Sequence, residues 1–195
     1  WSGGKDSAFA LYLMQQDTSH QVETLHTTIE GPKNVASMHG IPEELIDRQA
    51  KAINMPLVKT YLPEKPGLQT YNKLLGETYQ RFKSEGINNA AFGDINLEEL
   101  KAFRDKGLKA FDLSGIYPLW RMDTKELMKT FVDEGFKTLI ICVNAEKLDK
   151  SYLGKTITHK LIDNLPEEVD PAGENGEFHT FCFDGPIFNQ SVKFE

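Results

Sequence analysis

Cysteine is scarce in this chain. Its 195 residues contain 2 cysteines, Cys142 and Cys182, with neither a CxxC spacing nor paired histidines nearby. A disulfide framework needs more cysteines than these two, and a structural zinc site needs more cysteine or histidine ligands. Because each cysteine stands among apolar neighbours, we expect both to be buried, reduced thiols.

Long apolar runs and an excess of basic residues are also missing. No segment approaches the roughly 20 continuous apolar residues that span a bilayer, so a membrane partner is not expected. Lys and Arg number 22 against 29 Asp and Glu, a net charge of −7 that disfavours a nucleic acid partner. No secretory pattern is visible, and we expect a cytoplasmic location. An acidic chain can still bind ATP where backbone amides and a lysine converge on the phosphates.

Apolar segments with strand patterns alternate with helical patterns through most of the chain. The predicted helices cover residues 6–16, 42–53, 68–85, 97–107 and 124–134, and the predicted strands cover 22–29, 56–59, 90–92, 115–120 and 137–143. Apolar strands between helices are typical of a parallel sheet that is covered on both faces, and strand 137–143 is expected at its centre. We therefore predict an α/β fold with a doubly wound, mainly parallel sheet in a Rossmann-like layer.

The alternation weakens after residue 150. Here the pattern predicts a helix at 156–163 and strands at 178–183 and 187–194. We expect two parts: an α/β domain, residues 1–150, which carries the phosphate-binding motif described next, and a small C-terminal α+β lobe, residues 151–195, packed on it.

A glycine turn, residues 2–7 with the sequence Ser-Gly-Gly-Lys-Asp-Ser, opens the first predicted helix. Two glycines let backbone N–H groups converge at a helix N-terminus, where the helix dipole attracts phosphate. Lys5 adds a cation, Ser2 and Ser7 add hydroxyl groups, and Asp6 can cap the helix or help to hold magnesium. A purely structural turn is the alternative. Neither the Walker spacing nor the Rossmann glycine spacing occurs.

A second motif, residues 173–180, reads Gly-Glu-Asn-Gly-Glu-Phe-His-Thr. Glu174 and Glu177 could bind magnesium, hold ammonium or accept protons, and His179 belongs to the side-chain type that titrates nearest to neutral pH. The sequence does not separate these roles. An acidic turn that leads into an edge strand is the structural alternative.

The glycine turn resembles the pyrophosphate loop of the adenine-nucleotide α-hydrolase superfamily. With the second motif, the chain resembles the diphthine–ammonia ligase family of ATP pyrophosphatases within it. Residues 38–42, 93–95, 117–120 and 152–155 match in the same order. The resemblance implies that ATP is split between its α and β phosphates. A carboxylate acceptor, small or protein-borne, is adenylated and then aminated by ammonia, with release of AMP and pyrophosphate while magnesium shields the phosphates.

The resemblance and the two motifs together define a predicted site. The catalytic residues are expected to be Lys5, Glu174, Glu177 and His179. The ATP site is expected to comprise Ser2, Gly3, Gly4, Lys5, Asp6, Ser7, His39, Gly93 and Asp94, with Asp6 as a candidate magnesium ligand. The acceptor site is expected to comprise Glu174, Asn175, Gly176, Glu177, His179 and Thr180. His39 and Asp94 remain open between ligand contact and loop capping.

The second motif departs from the usual family pattern at two positions. Diphthamide-making members usually carry Glu-Gly-Gly-Glu, an aromatic residue and another Glu, whereas this chain has Asn175 and His179. That form resembles a bacterial branch associated with cobalamin salvage. The identity of the acceptor therefore stays open. Two other functions also stay open: a related ATP pyrophosphatase that acts in cobalamin salvage or on tRNA, and a non-catalytic ATP-binding module. Whether the chain forms a homodimer is open as well.

Overall fold

The computed structural model describes residues 1–194 of the chain. The helices are α1 (Lys5–Gln16), α2 (Glu43–Ile53), α3 (Leu68–Ser84), α4 (Glu98–Lys109), α5 (Thr124–Asp133) and α6 (His159–Asp163). The strands are β1 (Leu25–Glu30), β2 (Val35–Ala36), β3 (Leu57–Leu62), β4 (Asn89–Ala91), β5 (Ser114–Ile116), β6 (Lys137–Val143) and β7 (Phe178–Asp184). None of the helices in this part of the chain is long and apolar enough to cross a membrane.

Parallel pairing dominates the first half of the chain. β1 runs parallel to β3 from the Leu25–Leu57 pair to the Glu30–Leu62 pair, and β4 runs parallel to β5. Short antiparallel β2 borders the end of β1, and β6 pairs antiparallel with β7. Helices follow the parallel strands, as crossover connections require. The predicted α/β class is confirmed.

The first residues of the chain join the β1 and β7 ladders. The Trp1 amino group donates to the His26 carbonyl oxygen of β1, and the Cys182 N–H of β7 donates to the Gly3 carbonyl oxygen at 2.9 Å. The segment 1–3 therefore runs between these two strands, and α1 starts beside β7. Phe9 of α1 then packs edge-to-face on Phe131 in the main core.

The segment after β7 does not form the strand predicted at 187–194. Its backbone makes isolated bonds instead: Asn189 N–H donates to the Ala52 carbonyl oxygen at 2.8 Å, and Val192 N–H donates to that of Phe183 at 2.7 Å. The peptide groups of Cys182 are already bonded to Gly3 and Gln49. β7 therefore has a neighbour on each side, and no full ladder is left for another strand.

Residues 155–157 also differ from the predicted helix at 156–163. They run beside β6, where Ile140 N–H donates to the Lys155 carbonyl oxygen and Ile157 N–H donates to that of Thr138, both at 3.0 Å. α6 begins only after Thr158, whose hydroxyl accepts from Leu161 N–H. The division of the chain at residue 150 stays a prediction, and residue 195 lies outside the described residues.

The prediction that both cysteines are buried is wrong for one of them. Cys182 is fully buried in the core, whereas Cys142 is exposed near the end of β6. Ile141 beside it is 37% exposed, so this end of the strand is not covered on both faces. An apolar sequence context did not distinguish a covered strand from a partly covered one.

Candidate functional site

The glycine turn forms the N-terminus of α1. Gly3 has φ +82°, and a Cβ there would lie 2.6 Å from Gln49 Oε1. Gly4 is the N-cap residue and has no side-chain cap. Its N–H donates to Ser2 Oγ at 3.3 Å, and Ser7 Oγ donates to its carbonyl oxygen at 3.0 Å. The turn is thus closed by its own serines, and Gly3 occupies a place that a side chain could not take without strain.

Two N–H groups at the start of α1 are available to a ligand. Lys5 N–H donates to Thr180 Oγ1 at 3.1 Å, which ties the helix start to β7. Within residues 1–194, the N–H groups of Asp6 and Ser7 have no hydrogen-bond acceptor. Unpaired N–H groups at a helix N-terminus are the usual backbone donors to phosphate.

An ion pair between a buried lysine and a partly exposed aspartate lies at the same place. Lys5 is 4% exposed, and its Nζ is 2.8 Å from both carboxylate oxygens of Asp6. Lys5 Nζ also lies 5.8 Å from the centre of the Phe178 ring. Burial of an ammonium group is costly unless an anion accompanies it, and here the neighbouring carboxylate supplies that charge.

The loop after β4 borders the first turn of α1. A Cβ on Gly93 would lie 2.7 Å from the Asp6 carbonyl group, so only glycine allows this approach. Asp94 is paired with Arg104, whose Nε is 2.7 Å from Oδ2 of the carboxylate. The guanidinium of Arg104 lies over the Phe92 ring at 4.4 Å. Asp94 is therefore held by a cation of α4 at the edge of the site.

The acidic loop, residues 170–177, is closed by its own carboxylates. Glu177 is 1% exposed, and its oxygens accept from the N–H groups of Asp170 at 3.1 Å and Asn175 at 3.0 Å and from the Asn175 side chain at 3.3 Å. Burial acts to raise the pKa of Glu177, but these donors outweigh it and leave the pKa below its usual value. Glu177 thus holds the loop with its carboxylate directed inward.

Glu174 of the acidic loop lies within electrostatic range of the glycine turn. Burial and the negative charge of Asp6 raise its pKa to about 7, while the nearby Lys5 ammonium opposes the shift. The carboxylates of Asp170 and Asp94 add smaller upward contributions. A carboxyl group that titrates near neutrality can exchange protons at physiological pH. Its electrostatic coupling to Asp6 and Lys5 places the two sequence motifs in one site.

Two histidine rings lie edge-to-face beside the turn. The centres of His39 and His179 are 5.1 Å apart, and neither ring forms a hydrogen bond within the described part of the chain. Burial and the nearby His179 lower the pKa of His39 to about 4, and burial and the Lys5 charge lower the pKa of His179. Both imidazoles are therefore neutral at pH 7, and each presents one donor and one acceptor nitrogen.

The described residues contain no group of three His, Cys, Asp or Glu side chains placed to hold a metal ion. The carboxylate of Asp6, the candidate magnesium ligand, is occupied by Lys5. A magnesium ion that shared Asp6 would need its remaining ligands from phosphate oxygens and water, which is the way this ion is commonly bound.

Most of the predicted site residues converge on the start of α1. The structure brings together Ser2, Gly3, Gly4, Lys5, Asp6, Ser7, Gly93, Asp94, Glu174, His179, Thr180 and, through His179, His39. Asn175 and Gly176 lie at the exposed tip of the acidic loop, where Lys147 donates to the Asn175 carbonyl oxygen.

Sequence reasoning missed three organising residues. Buried Gln49 donates to the carbonyl oxygens of Gly3 and Cys182, and Asp170 accepts from Thr124. The Asp170-Pro171 dipeptide is a turn signal that could have identified the acid. Nothing in the local sequence marks Gln49, because its partners are distant in the chain.

Comparison with known proteins places nearly the full length of the chain in one group. Residues 1–111 match the diphthamide synthase N-terminal domain, and residues 123–195 match the diphthamide synthase C-terminal domain. Diphthine–ammonia ligases of Schizosaccharomyces pombe and Homo sapiens are each 26% identical over 98% of this chain. That of Danio rerio is 25% identical over the same share. The aligned region spans 34% of the yeast protein, 79% of the human one and 83% of the fish one.

Proposed function

Because the chain belongs to the diphthamide synthase family, we propose that it is an ATP-dependent ligase that joins ammonia to a carboxylate. The proposed products are an amide, AMP and pyrophosphate. One observation carries the proposal: Lys5 N–H donates to Thr180 Oγ1 at 3.1 Å, which joins the glycine turn to the second motif. Glu174 of that motif, whose pKa is raised to about 7, is electrostatically coupled to Asp6 and Lys5. A proton-exchanging group thus stands beside a phosphate-binding helix N-terminus.

The glycine turn is the proposed phosphate site. The free N–H groups of Asp6 and Ser7 would bind phosphate oxygens, and Lys5 would move from Asp6 toward the negative charge that develops on pyrophosphate. When bound, magnesium would shield phosphate charge, with Asp6 as its ligand from this chain. The acceptor carboxylate would attack the α-phosphorus and release pyrophosphate.

Glu174 is the proposed proton acceptor in the second step. Ammonia attacks the acyl carbon, a C–N bond forms, and the bond from the acyl carbon to the AMP oxygen breaks. The excess proton on nitrogen goes to the Glu174 carboxylate, whose pKa of about 7 makes it an effective base near neutral pH. We assign Glu177 a supporting role, because its oxygens are occupied by its own loop.

The similarity to these relatives indicates only the chemical class of the acceptor, a carboxylic acid. Their names specify diphthine and ammonia. We propose diphthine or another carboxylic acid as the acceptor, with the neutral His39 and His179 facing it or the nucleotide. The Asn175 and His179 motif motivates testing acids other than diphthine.

Labelled ammonium tests the proposal directly. The chain is incubated with Mg-ATP, isotope-labelled ammonium and either a diphthine-bearing protein or a panel of small carboxylic acids. The masses of the products are then measured by mass spectrometry. The expected result is ATP-dependent incorporation of labelled nitrogen into one acceptor, with loss of incorporation in Glu174→Gln. Tight ATP retention without incorporation into any acceptor would instead support a non-catalytic ATP-binding module.

A further inference from the structure

Asp170 connects the acidic loop to α5. Its Oδ1 accepts from Ala172 N–H at 2.8 Å and from Glu174 N–H at 3.2 Å. Its Oδ2 accepts from Thr124 Oγ1 at 2.8 Å. One carboxylate therefore holds the backbone of Glu174 and is itself held by the first residue of a helix.

That helix is a firm support. Asp123 caps α5 by accepting from Glu126 N–H at 2.9 Å, and the helix packs into the core through Met128, 0% exposed, and Phe131, 1% exposed. A capped helix with a fully buried face has little freedom to shift. Thr124 thus presents its hydroxyl from a fixed position.

The other end of the acidic loop is fixed separately. Asp170 N–H donates to Glu177 Oε1 at 3.1 Å, and the Glu177 carbonyl oxygen accepts from Asn144 N–H at 2.8 Å. Between these two anchors the loop has no helix or strand of its own. Two backbone bonds turn the loop, from Gly173 N–H to the Asp170 carbonyl oxygen at 2.9 Å and from Gly176 N–H to that of Gly173 at 3.0 Å. The N–H of Glu174 lies between these bonds and is held by the Asp170 side chain.

We propose that Asp170 and Thr124 are positioning residues for Glu174. They fix its backbone so that its carboxyl group faces Asp6 and Lys5, where the proposed proton transfer takes place. The inference rests on the proposed function for its catalytic consequence, and on the hydrogen bonds of Asp170 for its geometry. Neither Asp170 nor Thr124 has to contact ATP or the acceptor.

The test compares Thr124→Val with Thr124→Ser in the full chain. Valine keeps the shape of threonine and removes the hydroxyl, whereas serine keeps the hydroxyl. AMP release is measured with Mg-ATP, ammonium and a diphthine-bearing protein. For Thr124→Val we expect kcat to fall about 10-fold or more, because small misplacements of a reacting group are costly. The KM for ATP should stay within about 2-fold, and Thr124→Ser should restore kcat.

A double-mutant cycle separates positioning from a general structural role. If Thr124 acts through Glu174, Thr124→Val causes no further loss of kcat in a Glu174→Gln background. Losses that multiply in the double variant, or equal losses in the Val and Ser variants, overturn the inference. An increased KM for ATP with unchanged kcat also overturns it.

Hydrogen exchange tests the geometry independently of turnover. Thr124→Val and Asp170→Ala should both speed exchange of the Glu174 amide, while amides of β6 keep their protection. Unchanged exchange at Glu174 contradicts the positioning role. If wild-type chain releases no AMP with the diphthine-bearing protein or with any acid of the panel, the proposed function fails, and this exchange experiment still decides whether Asp170 and Thr124 hold Glu174.

Discussion

Glu174 and Glu177 show how two carboxylates of one short loop acquire different properties. Glu177 accepts several hydrogen bonds and has a lowered pKa, whereas Glu174 is crowded by burial and by Asp6 and has a pKa raised to about 7. Environments that separate two pKa values in this way commonly separate two roles. The ionisable group suited to proton transfer is therefore Glu174.

The pH dependence of turnover should follow Glu174. Below its pKa of about 7 the carboxyl group is protonated and cannot accept a proton, so kcat should rise through neutral pH and level off above it. Glu174→Gln should remove this rising limb of the pH profile of kcat. It should also lower the maximal rate by about 100-fold or more, within the usual range for a lost general base. His179→Gln should keep the limb. A rise near neutral pH that survives in Glu174→Gln would refute the assignment.

Nucleotide binding should change the protonation of His179. Its pKa is lowered by burial and by the Lys5 charge, so an anionic phosphate nearby should raise that pKa again. NMR titration of the imidazole protons, with and without a non-hydrolysable ATP analogue and magnesium, measures the change. His159, which lies against Asp133 on the surface, is the control. An unchanged His179 pKa would show that the phosphates bind elsewhere.

At the scale of secondary structure, two glycines provide a matched comparison. A Cβ at Gly93 would meet the Asp6 carbonyl at 2.7 Å, whereas a Cβ at Gly107 in α4 would meet nothing within 4 Å. Gly93→Ala should displace the start of α1 and weaken ATP binding. Gly107→Ala should leave binding unchanged and stabilise α4 by up to about 1 kcal/mol. Titration of ATP by calorimetry measures both, and equal affinity in the two variants would remove Gly93 from the site.

The acidic loop makes a prediction for Glu177→Gln. A glutamine amide offers one acceptor oxygen where the carboxylate offers two, so unfolding free energy at pH 7 should fall by about 1–3 kcal/mol. The pKa of Glu177 is lowered in the fold, so its contribution is present above the unfolded pKa and disappears as pH falls through the folded pKa. Urea unfolding at pH 7 and at acid pH measures this. The exposed Glu168→Gln is the control, and equal losses in both variants would contradict the role of Glu177.

The sequence predicted most helices and strands because their apolar patterns are local. Helix α3 was predicted at 68–85 and occurs at Leu68–Ser84, and β6 occurs where it was predicted. The strand predicted at 187–194 failed, because pairing depends on which sheet edges are free. That property belongs to distant residues such as Gly3 and Gln49, and local pattern does not contain it.

The sequence predicted which residues belong to the candidate site, but it did not predict the contacts that hold them in place. Chemistry-bearing residues stood out as motifs, and the family they indicated is confirmed. The inward direction of Glu177 and the support of Glu174 by Asp170 and Thr124 depend on packing between separate segments. The bacterial branch indicated by Asn175 and His179 stays a prediction.

At the scale of the whole molecule, Gln49 joins three parts of the chain. Its side chain donates to Gly3 at 2.8 Å and to Cys182 at 2.6 Å, and it accepts from the Trp1 indole at 3.0 Å. Gln49→Met should therefore lower the unfolding free energy by about 1–3 kcal/mol, because buried polar groups lose their partner. The exposed Gln80→Met on α3 should change it by less than about 0.5 kcal/mol. Thermal unfolding compares them, and equal midpoints would contradict this role.

The proposed function requires ATP to be split between its α and β phosphates at the glycine turn. Phosphorus NMR of a reaction with Mg-ATP, ammonium and the acceptor identifies the fragments in one measurement. We expect AMP and pyrophosphate to appear together in equal amounts and Lys5→Ala to slow their appearance. Release of ADP with orthophosphate would contradict the proposed function.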